Sequence, residues 1–148
     1  MTMVDAGFGP HLMLDLGDCD VARLTDLPYI FNLLNTLPDE IGMTKITQPY
    51  VFPYEGLVPD DEGITGTVII AESHISVHTF PRKKYCFVDL FSCKTFDVDR
   101  ARERLIEAFG SRRPEVHLVH RGSEFPRGML VGDSADACTV ESEPMRLR

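Results

Sequence analysis

Between residues 71 and 93 the chain collects side chains that move protons and attack carbonyls. In His74-Ile-Ser-Val-His-Thr-Phe80 alternate positions of an extended strand share a face, so His74, Ser76, His78 and Phe80 line one side and Ile75, Val77 and Thr79 the other. The next run alternates in the same way and sets Tyr85, Phe87, Asp89, Phe91 and Cys93 together. Imidazoles titrate near neutrality, hydroxyls and thiols attack carbonyls or donate protons, and a carboxylate orients them. A Ser, His, Asp and Cys constellation on one sheet face is therefore equipped for acid–base or covalent chemistry. Zinc is the competing use of His74 and His78, with His117 or His120 as further ligands, but the His and Cys spacings fit no structural zinc signature.

Such a face needs a sheet and something to hold it flat. His11–Leu16 reads as a strand, Asp26–Asn35 as a helix with Pro28 in its first turn, and Met43–Phe52 as strand-like, followed by a polar, Gly- and Pro-broken loop over 53–63. Thr65–Ala71, His74–Phe80 and Tyr85–Cys93 follow in quick succession as a meander. Asp97 can cap a helix through Phe109, where Val98, Ala101, Leu105 and Ala108 recur at helical spacing and Gly110 supplies the stop. Glu115–His120 is a last strand. The sum is an α+β, two-layer sandwich: a largely antiparallel sheet with helices on one face. The other face is left uncovered, and burying its aromatic residues against a second copy makes a two-fold homodimer the expected assembly.

With 148 residues and 43% hydrophobic content the chain suits one domain, placed at 1–123, with a partly mobile tail over 124–148. Asp and Glu number 23 against 15 Lys and Arg, so no basic excess recommends a nucleic-acid partner. No apolar run approaches the ~20 residues needed to span a bilayer, and the start at Met1 lacks the features of a signal peptide; a cytoplasmic protein without membrane association is expected. In a reducing compartment the four cysteines stay unbridged, and Cys19, Cys86 and Cys138 read as small buried or incidental residues.

The stretch Ala71-Glu-Ser-His-Ile-Ser-Val-His-Thr-Phe-Pro81, followed by Val88-Asp-Leu-Phe-Ser-Cys93, resembles the bacterial and archaeal S-adenosylmethionine decarboxylase proenzymes, which cut themselves and use a pyruvoyl group. The likeness is close over Thr65–Cys93 and collinear from the Gly9-Pro-His-Leu12 strand to the Glu115–His120 strand. It implies that Ser73 attacks the carbonyl of Glu72, turning an amide into an ester whose elimination releases residues 1–72 and leaves 73–148 headed by a pyruvoyl group. It implies that His78 handles protons in that processing, that Thr65 supports it with its hydroxyl, and that Cys93 reprotonates the product carbon. Asp15 falls near a carboxylate of the family, its role open.

The chemistry suits these assignments. A Schiff base between a substrate amine and the pyruvoyl carbonyl draws off the electron pair left by departing CO2, the task pyridoxal phosphate performs elsewhere, so neither that cofactor nor a metal is expected. An ordinary thiol is mostly protonated at neutral pH and can return a proton.

One departure bears on the substrate. Four residues after the histidine the family carries a Glu that accepts hydrogen bonds from a ribose, and here Arg82 stands there. Arginine offers donors only and adds positive charge where a sulfonium would sit. The expectation is therefore a polyamine-pathway decarboxylase of a free basic amino acid, L-arginine or L-ornithine, with Arg82, Phe80 and Glu72 against the substrate. S-adenosylmethionine decarboxylation, which supplies spermidine synthesis, is the alternative. A non-catalytic binding homologue is a remote third, disfavoured by the intact Ser73, His78 and Cys93.

Overall fold

The computed structural model describes residues 7–128 and 130. Its elements run β1 (Gly9–Gly17), α1 (Val21–Thr25), α2 (Leu27–Glu40), β2 (Tyr50–Tyr54), β3 (Gly63–Ile70), β4 (Ser73–Phe80), β5 (Tyr85–Ser92), α3 (Val98–Phe109) and β6 (Arg113–Arg121). All six strands join one antiparallel sheet in the order β2-β3-β4-β5-β1-β6. The α+β expectation holds, and the meander β3-β4-β5 sits at its centre.

Local chemistry sets the helix ends. Asp20, Asp26 and Asp97 each accept a hydrogen bond from a backbone N–H of the first turn, and Gly110 closes α3 with φ +58°, a conformation Gly reaches without strain. The predicted Asp26–Asn35 helix extends to Glu40. Its Pro38 falls in the last turn, where losing one N–H is tolerable.

Strand alternation places Leu12, Leu14 and Leu16 of β1, Val68 and Ile70 of β3, Ile75 and Val77 of β4, and Val88 and Leu90 of β5 on one face. There they meet Leu24, Ile30, Leu34 and Leu37 and, from α3, Ala101, Leu105 and Phe109. Each fully buried Leu or Ile contributes about 1.5–3 kcal/mol, which makes this layer the rigid backing of the sheet. Thr79 is buried within it and satisfied, accepting from the Ile64 N–H and donating to the Leu24 carbonyl, both at 2.9 Å.

Two sequence expectations shift. Met43–Phe52 is not one strand: pairing is confined to a bridge from Lys45 to Ile70 and to β2 itself, which forms at Tyr50 and runs through Pro53 at the sheet edge. That edge position is where a proline can sit in a strand. The short helix α1, with no apolar repeat long enough to announce it, was not foreseen. Among the described residues, no helix is long and apolar enough to cross a membrane. Cys138 and residues 131–148 of the expected tail lie outside the described residues.

Candidate active site

The outward face of the sheet carries the polar set. Register pairs Thr65 with His78, His78 with Phe87, Ser76 with Asp89 and His74 with Phe91, so these side chains form rows across β3, β4 and β5. The Thr65 hydroxyl lies 3.3 Å from His78 Nδ1. These two residues, with Tyr54, Asp61 and Phe80, line an open cavity of about 280 Å³. Phe80 stands edge-on to Phe87, ring centres 5.8 Å apart. A hydroxyl held against an imidazole beside such a cavity is an arrangement able to relay a proton.

The second group assembles at the opposite end of β4. Ser73 opens that strand with φ +156°, a backbone angle that side-chain-bearing residues rarely adopt, immediately after the Glu72–Ser73 peptide. The Glu72 carbonyl oxygen accepts a hydrogen bond from the Cys93 N–H at 2.8 Å. That bond polarises the carbonyl and points a donor at the oxygen that turns negative when a nucleophile attacks. Cys93 itself follows β5 rather than ending it, and is half-buried. Gly9 keeps it close to β1, because a Cβ there would fall 1.9 Å from the Ser92 carbonyl oxygen.

The Glu72 side chain is buried and held on both carboxylate oxygens. Thr44 N–H donates to Oε2 at 3.2 Å, and Lys94 Nζ lies 3.3 Å from Oε1. Burial by itself would raise this carboxyl, but the Thr44 N–H and the Lys94 ammonium outweigh it and hold Glu72 below the usual carboxylate range. Arg127 closes the same end, donating to the Gly7 carbonyl at 3.1 Å and also to the Phe8 and Cys93 carbonyls. Lys94, Thr44 and Arg127 were not foreseen. Lys94 adjoins Cys93, yet no periodicity announces that its ammonium returns to a residue 22 positions earlier.

The structure thus brings Ser73, Glu72 and Cys93 together, and separately Thr65, His78 and Phe80. It does not bring the two groups together within one chain. Five residues of strand separate Ser73 from His78, about 16 Å at ~3.3 Å per residue. His74 packs edge-on to Phe91 at 5.9 Å, away from His78 and His117, so the zinc alternative has no assembled ligand set in those residues. Among the described residues, the one trio with ligand atoms within 4.8 Å of each other is Asp15, Glu115 and His117, half-buried to exposed. His117 Nε2 approaches the Glu115 and Asp15 carboxylates at 3.2 and 3.6 Å, a local contact at the far edge of the sheet. Asp89 Oδ1 lies 3.2 Å from His11 Nε2 across the β1–β5 pair. Cys19 and Cys86 are buried on the helical side, where the Cys19 thiol donates to the Leu16 carbonyl at 3.3 Å; the influence of each thiol on the other raises Cys86 and lowers Cys19.

Arg82 lies in the turn after β4 with its guanidinium 3.9 Å from Asp60 and 3.6 Å from Glu62, while Lys83 pairs with Asp61 at 2.9 Å. Three carboxylates of the 53–63 loop therefore face two cations. The turn after β4 is not the positive patch that Arg82 alone suggested.

The family model for S-adenosylmethionine decarboxylase matches residues 10–122. The S-adenosylmethionine decarboxylase proenzyme of Parasynechococcus marenigrum is 38% identical over 88 residues, spanning 57% of this chain and 62% of that protein, which is under two thirds of its length. That of Thermodesulfovibrio yellowstonii is 32% identical over 117 residues, 77% of this chain and 81% of the relative. The crystal structure of the adenosylmethionine decarboxylase from Aquifex aeolicus superposes with a TM-score of 0.67 at 28% identity, covering 78% of this chain and 92% of that one. These relatives overturn the expectation of arginine or ornithine as substrate: they carry the name S-adenosylmethionine decarboxylase, and nothing in the matches indicates decarboxylation of a free basic amino acid. The expectation rested on Arg82, which offers no acceptor and adds positive charge; the fold sets Asp60 and Glu62 beside it, so the guanidinium is not an isolated cation.

Proposed function

Because the chain belongs to the S-adenosylmethionine decarboxylase family, whose members are self-processing pyruvoyl-dependent carboxy-lyases, we propose that it decarboxylates S-adenosylmethionine after cleaving itself between Glu72 and Ser73. The observation that carries this reading is the geometry of that one peptide bond: a strained Ser73 follows a carbonyl already polarised by the Cys93 N–H at 2.8 Å. Attack by Ser73 Oγ forms a C–O bond and breaks the C–N bond, with the hydroxyl proton passing to the Ser73 nitrogen. Loss of the Ser73 Cα proton then expels the Glu72 carboxylate from Cβ, and water replaces the resulting enamine nitrogen, releasing ammonia. Residue 73 is left as a pyruvoyl group, whose carbonyl supplies the electron sink for CO2 loss.

The surroundings fit that group. Cys93 lies beside it with a thiol able to return a proton to the product carbon, and the buried Glu72 keeps the adjoining wall of the site in place. In this reading His78 and Thr65 handle protons during self-cleavage, and Phe80, Glu72 and Arg82 border the substrate. The Arg82 charge is offset by Asp60 and Glu62, so a sulfonium is not repelled. The product keeps the aminopropyl group that spermidine synthesis consumes.

The working form in this reading is a homodimer. Tyr50, Phe52, Ile69 and Phe87 are exposed on the outward face, an apolar surface that a second sheet would cover. A two-fold axis crossing β4 between its ends would set the Thr65–His78 pair of one copy against the Ser73–Cys93 end of the other, closing the ~16 Å gap. The test is release of labelled CO2 from carboxyl-labelled S-adenosylmethionine, with intact-mass analysis of the purified protein. Turnover with fragments 1–72 and 73–148 is expected. A whole chain that never cleaves, or a cleaved protein inert toward S-adenosylmethionine, refutes the proposal.

A further inference from the structure

Lys94 stands on the C-terminal side of the Glu72–Ser73 bond and holds two groups on its N-terminal side. Its ammonium donates to the Gly42 carbonyl at 2.8 Å and pairs with Glu72 Oε1 at 3.3 Å. The lysine backbone is fixed in turn by Ser92, whose buried hydroxyl accepts from the Lys94 N–H at 3.1 Å and donates to its carbonyl at 2.8 Å. Opposite, Thr44 N–H binds the other Glu72 oxygen, and the Thr44 carbonyl accepts from Ala71 N–H at 2.8 Å. Glu72 is therefore immobilised through its side chain at the moment its own carbonyl must stay on the Cys93 N–H and present its carbon to Ser73.

Resting on the self-cleavage reading above, we infer that Lys94 is a positioning residue for chain cleavage: its ion pair with Glu72 clamps the scissile carbonyl onto the Cys93 N–H. Once the bond is broken the same pair joins the two fragments, so it also keeps the new C-terminus seated against the pyruvoyl end. A surface ion pair would do little, but Glu72 is 8% exposed and already desolvated, which makes the partner of its charge matter.

The experiment follows cleavage of freshly synthesised precursor by denaturing gel and intact mass. Lys94→Met should slow the appearance of fragment 73–148 by about ten- to a hundredfold, the range expected when a buried carboxylate loses its ion-pair partner. Lys94→Arg, which keeps the charge, should recover most of the rate. Glu72→Gln should slow cleavage comparably, and the double variant should be no slower than either single one, because both remove one interaction. Melting curves of the same variants in an uncleavable Ser73→Ala background separate a loss of folding from a loss of positioning. Where Lys94→Met does not fold, Glu72→Gln decides. Wild type that cleaves alongside an equally fast Lys94→Met, or single-variant effects that multiply in the double, overturns the inference alone. Wild type that stays whole overturns the parent reading with it.

Discussion

Complementation between two inactive chains tests the shared site. Within one protomer the ~16 Å of strand between Ser73 and His78 exceeds the ~3 Å reach of a proton transfer more than fivefold, so the proposed role of His78 requires a Ser73 in another copy. His78→Ala alone should cleave slowly, by about 10²–10⁴-fold, the usual loss for a missing general base. Ser73→Ala has no nucleophile and should remain whole. When the two are synthesised together at equal levels, random pairing makes about half of the dimers mixed, and each mixed dimer holds one complete site. That site joins Ser73 of the His78→Ala chain to His78 of the Ser73→Ala chain. About half of the His78→Ala chains should therefore be cut, and none of the Ser73→Ala chains. Tags of different mass let intact-mass analysis count each. Purified mixed dimers in which the His78→Ala chain stays whole, beside wild type that cleaves, would refute the shared site, as would full cleavage in a protein that sediments as a monomer.

Cys93→Ala should still yield fragments 1–72 and 73–148, because the Cys93 contribution to the scissile carbonyl is its backbone N–H, which alanine retains. Its CO2 release from S-adenosylmethionine should fall by about 10²–10⁴-fold; normal turnover would show that another group returns the proton. The Glu72 carboxyl, held low by Thr44 N–H and Lys94 against the burial that opposes its charge, contributes stability above its unfolded value, and that contribution is lost as pH falls below about 4.3. In Ser73→Ala protein, Glu72→Gln should lower the urea midpoint at pH 7, with the difference shrinking as pH falls below the unfolded value; a pH-independent difference would contradict the ion-pair assignment.

Much of the architecture is written in short-range pattern. Period-two alternation in β4 and β5 separates Ile75, Val77, Val88 and Leu90 from His74, Ser76, His78 and Asp89, and burial follows the same division. Asp97 and Gly110 bound α3 by local hydrogen bonding and by the freedom of glycine at positive φ. Such features are legible because each depends on neighbours within a few residues. The candidate site residues came from the Glu-Ser-His, His-Thr-Phe-Pro and Phe-Ser-Cys strings.

Where those residues meet was not. Only antiparallel pairing of β4 with β5 brings the Cys93 N–H onto the Glu72 carbonyl while leaving His78 a strand's length away. Only the packing of the 53–63 loop on the turn after β4 sets Asp60 and Glu62 beside Arg82, which offsets the charge that the sequence showed in isolation. Lys94 reaches Glu72 through a turn fixed by the buried hydroxyl of Ser92. Each contact joins positions about 20 residues apart or more. The side chain and backbone patterns that set a strand or a helix act over a few residues and carry no term for such distances, so pairing register and loop packing alone decide them.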